Sequence, residues 1–195
     1  VRALEAEIAT NPDDHFARAL LGHALVLRAR DAPMHEKRAL AARGFAELDA
    51  AIAAAPDDPE LRLLRARNAS TMPRFLERST VAREDFTVLL DRVDRGYPEG
   101  VLGLERKVCF HAGAFALRER RHEAVALLER AARAPGQEPP EEIVQSMLAL
   151  ARLELTPASH ADVEEGPEKQ AAASGSGARP GERGRDQEQA QAARP

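Results

Sequence analysis

Six histidines and a single cysteine are the residues of this chain best suited to hold a metal or move a proton, and their spacing does not join them into a site. His15, His23, His35, His111, His122 and His160 include no His-Glu-x-x-His pair on one helical face. Cys109 and His111 are two residues apart, about 200° around a helix, so one ion cannot easily take both. His111 therefore reads as a hydrogen-bonded core residue, and Cys109 as a small buried apolar one. Asp13-Asp14 and Asp57-Asp58 offer paired carboxylates for acid–base work. Each pair, however, follows a proline and precedes a helical pattern, where acids interact favourably with the helix dipole. Gly96, Gly100 and Gly103 precede no Lys-Ser/Thr pair, so there is no phosphate-cradling loop, and Gly175-Ser176-Gly177 lies in a Gly/Ala-rich tail. The densest basic cluster, Arg118, Arg120, Arg121 and His122, is flanked by Glu119 and Glu123 with no aromatic residue interleaved, which reads as a solvated turn. The expectation is no catalytic residue, no metal and no cofactor.

Composition narrows the classes further. The chain has 195 residues, 44% of them hydrophobic, with no Trp, one Tyr and six Phe. A core built from Leu, Ala, Val and Ile suits close helix–helix contact better than a β-sandwich. The net charge of −4, from 32 acidic and 28 basic residues, gives no overall attraction to nucleic acid. No apolar run approaches the ~18 residues of a membrane span, so no direct membrane insertion is expected. Cys109 alone permits no intrachain disulfide and leaves the compartment open. The start, Val1-Arg2-Ala3-Leu4-Glu5, has no signal-peptide core, which points to a cytoplasmic location, or a periplasmic one if a signal precedes this sequence.

The elements that would position these side chains are helices. From Ala41 through Phe45, Leu48 and Ile52 to Ala55, apolar residues step by four and three. Asn11-Pro12-Asp13-Asp14 leads into Ala19-Leu20-Leu21-Gly22-His23, and Ala55-Pro56-Asp57-Asp58 leads into Leu61-Arg62-Leu63-Leu64. Breaks at Asp31-Ala32-Pro33, Pro73 to Leu76, Gly96 to Gly100 and Pro135-Gly136 divide the chain into helix pairs. Ser79 or Thr80 is placed to cap the helix after the second break, with Phe75 and Leu76 plugging that corner. Residues 139–155 form one further amphipathic helix with Ile143, Met147, Leu150 and Ala151 apolar, and 1–10 read as a helix with Leu4 and Ile8 facing inward. Beyond residue 156 no apolar period remains, and 157–195 are expected to be disordered.

This succession of hairpins resembles a divergent tetratricopeptide repeat array over residues 1–156, with units at 13–56, 59–98 and 101–136, a partial unit at 1–10 and a capping helix at 139–155. The resemblance implies an all-α, right-handed superhelix of antiparallel hairpins. It also implies that packing rests on Leu21, Gly22, Leu25, Gly44, Leu48 and Ala51 in the first unit. Ala66, Ala82 and Phe86 fill those positions in the second unit, and Ala112, Phe115, Ala124, Leu128 and Ala131 in the third. The first unit exceeds the usual ~34 residues by about ten, which extend its second helix around Met34 to Arg43. Pro73 to Leu76 replace the usual tight turn.

Carried over from that family, the first helix of each unit lines a concave groove. The residues so placed are Phe16, Ala19, His23 and Val26, then Leu63, Arg67 and Ser70, then Arg106, Cys109, Gly113 and Ala116. Arg67 and Arg106 would be fixed cations able to form paired hydrogen bonds with carboxylates. The resemblance thus implies a non-catalytic interaction module or assembly adaptor that holds a protein or a peptide with apolar and acidic side chains. The alternative is a structural unit that oligomerises through its N-terminal helix edge. An enzyme or a nucleic-acid binder ranks below both.

Overall fold

Asp14 and Asp58 each start a helix. The Asp14 carboxylate accepts from the Ala17 amide at 2.8 Å, and that of Asp58 from the amides of Glu60 and Leu61 at 2.8 and 3.3 Å. Both satisfy N–H groups that a first turn leaves free, and Pro59 sits where its missing donor costs nothing. The repeated Pro-Asp-Asp motif is therefore a helix-starting device.

The computed structural model describes residues 1–96 and 103–155, and among them there are eight α-helices and no strand. The helices are α1 (Arg2–Thr10), α2 (His15–Asp31), α3 (Met34–Ala54), α4 (Pro59–Ser70), α5 (Ser79–Asp94), α6 (Leu104–Arg118), α7 (Glu123–Arg133) and α8 (Glu141–Leu155). A 3-10 turn, Arg74–Leu76, lies between α4 and α5. No described helix is long and apolar enough to cross a membrane. The readings made for Tyr97 to Leu102 and for the tail after Leu155 lie outside the described residues.

Pairing follows chain order. α2 packs with α3, α4 with α5 and α6 with α7, while α2 touches α4, α4 touches α6 and α6 touches α8. The small side chains permit this closeness. A Cβ built on Gly22 would lie 2.6 Å from the Gly44 carbonyl oxygen, and one on Gly44 would lie 2.8 Å from that of Gly22. The α2 and α3 backbones therefore meet directly, with Leu48 and Val26 closing over the contact. Leu21, Leu25, Leu48, Ala51, Ala66, Ala82, Phe86 and Ala112 are all buried, as are Phe115, Ala124, Leu128 and Ala131. Phe86 and Phe115 stack at 5.8 Å between centroids in a tilted arrangement across the α5–α6 contact.

Polar groups tie the pairs to one another. Asp85 on α5, 1% exposed, accepts from Arg65 at 2.8 Å on both carboxylate oxygens and from Arg62 at 3.0 Å. Arg65 also reaches Asp49 on α3 at 2.5 Å, so one ion network spans three helices. These anions raise the Arg65 pKa above its ordinary value, the hydrogen bond to Asp85 first among them, and burial opposes the rise only in part.

Several local expectations need correction. α5 begins at Ser79 itself, Arg78 is its N-cap residue, and neither Ser79 nor Thr80 caps it through its side chain. At the corner, Leu76 packs on the core but Phe75 stays exposed, with the Arg38 guanidinium 6.0 Å from its ring centroid. α8 buries Val144, Leu148 and Ala151 and leaves Ile143 and Leu150 outside, so the inward stripe is rotated from the expected one.

Candidate functional site

Side chains four, seven and eleven residues apart share one face of a helix. On α2 such a face carries Phe16, Leu20, His23 and Leu27, and on α4 it carries Glu60, Leu64 and Arg67, with Thr71 just past the helix end. The matching residues of α6 are Lys107, His111, Ala114 and Arg118. Along this face a cavity of about 340 Å³ opens between α2, α4 and α6. Val26, Leu64, Met72 and Leu76 supply apolar walls, and Arg30, Lys37 and Arg67 stand among them as cations. A second recess, between α6 and α8, includes Ala114, Arg118, Met147 and Leu150. Arg118 closes the strip between the two by donating to the carbonyls of Ser70 and of Met72, the latter at 2.7 Å. The basic cluster at Arg118 to His122 is thus a helix–helix turn, with Arg121 paired to Glu123 at 2.6 Å.

Of the residues carried over as groove-facing, the cavity collects His23, Arg67 and Ser70, together with Val26. Phe16 is exposed on the same face of α2 but does not line the cavity. Ala19, Leu63, Cys109, Gly113 and Ala116 are corrections: all are buried against neighbouring helices, and a Cβ on Gly113 would meet Leu128 at 2.8 Å. Arg106 is the sharpest correction. It is 4% exposed and donates to the carbonyls of Pro139, Ala131 and Ala134 at 2.9 to 3.4 Å, and to Glu141 at 2.7 Å. Its charge thereby satisfies the C-terminal end of α7 and ties the chain leading into α8, and none of it faces a groove.

The polar groups of the cavity are held in set orientations. Asn68 donates through Nδ2 to the Leu64 carbonyl at 2.7 Å, which aims its Oδ1 at His23 Nδ1, 2.9 Å away. In this pair His23 Nδ1–H donates to Asn68 Oδ1. Sequence reasoning passed over Asn68 because an Asn within an apolar stretch gives no signal until its neighbour across the helix pair is known. His111 lines the cavity instead of joining the core, with its ring edge-on to Phe110 at 5.1 Å. Burial first, then the charges of Arg67 and Lys107, lower its pKa to about 4.

That shift fixes a pH dependence. The unfolded chain protonates this imidazole near pH 6.5, and the folded chain only near pH 4, so the stability it contributes is complete above 6.5 and falls as pH drops between those values. The expected loss from His111 is about 2–3 kcal/mol by pH 4. Urea unfolding at pH 7 and pH 4.5 should show a shallower decline for His111→Leu than for the native chain. Equal declines would contradict the assignment.

Cys109 offers no nucleophile. Burial pushes its thiol up to about 11, with the Arg130 charge opposing only in part, so it is protonated at neutral pH and enclosed by α6, α7 and α8. Among the described residues no group of three His, Cys, Asp or Glu side chains is placed to hold a metal ion. The cavity presents an apolar surface bordered by cations, with Asn68 and His23 held by hydrogen bonds. No family model matches this chain, and no curated protein or solved structure matches it.

Proposed function

We propose that this chain is a non-catalytic protein–protein interaction module, a divergent tetratricopeptide-type array that holds a partner on the face shared by α2, α4, α6 and α8. One observation carries the reading. The first helix of each pair contacts the first helix of the next, and the face they share exposes apolar side chains, Phe16 and Leu27 at one end and Leu150 at the other. Exposed groups of this size on rigid helices favour association, because little ordering entropy is lost when a partner covers them.

The partner is a protein or peptide whose apolar side chains meet Phe16, Leu27 and Leu64. Nucleic acid fits poorly, since the acidic Glu60 and Glu154 lie on the same face and the chain carries a net negative charge.

Photo-crosslinking in the native cell tests this. A photoreactive residue at Leu27 or Ala114 should yield a discrete adduct with another protein, and the same residue at the exposed outer positions Glu84 and Ala126 should not. Adducts from all four positions, or from none, reject the reading. An adduct of the chain with itself favours the alternative of a structural oligomerisation unit, toward which Ile143, Leu150 and Leu153 on α8, the last 79% exposed, also point.

A further inference from the structure

Two departures from regular hairpin packing meet at one place. The extended start of α3 brings Lys37 to the cavity between α2, α4 and α6, and the chain from Pro73 to Leu76 brings Pro73 and Leu76 to it. Without these insertions the cavity would be a bare stretch of open groove. With them it is walled on its fourth side and reaches a volume of about 340 Å³, within the range of small-ligand pockets.

The charges of the lining are all of one sign. Arg30, Lys37 and Arg67 border the cavity, and no Asp or Glu does. Among the described residues, the Arg67 guanidinium has neither an ion pair nor a hydrogen bond. The Lys37 ammonium donates to the Arg30 carbonyl at 2.7 Å and meets no carboxylate. The Arg30 guanidinium, 69% exposed, pairs with Asp31 at 3.4 Å. Arg67 is exposed at the cavity edge and meets no carboxylate among the described residues, so a bound carboxylate would supply its counter-charge.

The helix ends distinguish among anions. α2 and α4 both present their C-terminal turns to this cavity, where carbonyls carry partial negative charge. A phosphate would want the opposite, a helix N-terminus with free N–H groups. A singly charged carboxylate is opposed by those carbonyls less than a phosphate of larger charge. The apolar walls of Val26, Leu64, Met72 and Leu76 then call for an aliphatic body.

We propose that this cavity binds a small organic carboxylate with an aliphatic body. The cavity shares Leu27 and Leu64 with the partner face assigned above, and the titration below reads its occupancy with no partner present, so its failure and that of the crosslinking test are distinguishable.

Titration of the isotope-labelled full chain with octanoate, followed by amide and histidine NMR signals, tests it. Saturable shifts should centre on Leu64, Arg67, Leu76 and His111, and octylammonium, equally apolar but cationic, should bind at least tenfold more weakly. The double variant Lys37→Gln/Arg67→Gln should keep the native helical signal and lose at least tenfold in octanoate affinity. Equal binding of octanoate and octylammonium overturns the proposal, as does unchanged affinity in a folded double variant. Shifts confined to Ile143, Leu150 and Leu153 overturn it too, since they would mark non-specific adsorption on α8. A short peptide of alternating Leu and Glu serves as a further arm. If it saturates these same residues while octanoate does not, the cavity belongs to a protein partner and the small-ligand assignment is wrong.

Discussion

Replacing Asp85 with alanine is expected to destabilise the fold by about 3–5 kcal/mol. The Asp85 carboxylate is buried and accepts three hydrogen bonds from two guanidinium groups. Arg65 would keep Asp49, but Arg62 would lose the one carboxylate it meets among the described residues, and its Nε already lacks a hydrogen-bond partner there. A cation left without its counter-charge in a largely buried place is what makes the removal costly. Asp49 provides the internal comparison, because it contacts the same Arg65 from a half-exposed position. Its replacement by alanine should cost under about 1 kcal/mol, since solvent screens the pair. Urea unfolding of both variants measures the difference. Similar losses from Asp49→Ala and Asp85→Ala would mean that burial does not govern this network.

Gly22→Ala is expected to destabilise by about 1–3 kcal/mol, although the same exchange at an open helical position would stabilise. The sign is the test. Alanine is the better helix former, by about 1 kcal/mol per residue, so only a steric cost can reverse the outcome. That cost is visible in the 2.6 Å separation of a Cβ on Gly22 from the Gly44 carbonyl oxygen, a backbone atom that cannot turn aside. α2 and α3 must separate for the methyl group to enter, and Leu48, 2.8 Å from the same Cβ, must move with them. Gly22→Leu should prevent native packing of this pair. Thermal unfolding and amide exchange across α2 and α3 report the effect. An alanine variant at least as stable as the native chain would show that the two backbones are not in contact.

These two sites differ in how far they could be read beforehand. Gly22 and Gly44 stood out as small residues inside apolar helical stretches, and their burial together follows from one rule about backbone approach. Asp85 gave no such signal. It lies in Arg83-Glu84-Asp85-Phe86, where any of the charged residues might have faced water, and only the position of α4 brings Arg62 and Arg65 to it.

The residues of α6 expected to be open turn out buried for a physical reason. Ten of its fifteen residues are buried, because α4, α5, α7 and α8 all pack around it. With so wide an apolar surface, periodicity cannot say which narrow strip stays free, and an error of one residue turns the helix by about 100°. Arg106, carried over from the family resemblance as a groove cation, is buried, while His111 lines the cavity and Ala114 and Arg118 border the second recess. On α2 and α4, which are more open, the readings of His23 and Arg67 placed both at the cavity.

The amino-acid order by itself determined the helices, their starts at Asp14 and Asp58, their breaks at proline and glycine, and the small residues on which they pack. These depend on hydrogen bonds and steric contacts between residues close in the chain, or on side-chain size alone. The tertiary structure alone decided which charges were spent on packing and which were left facing a cavity. Arg106 and Arg67 are the same residue type in similar helical surroundings, and what separates them is the distant chain at Pro139 and Glu141, which closes over one and not over the other.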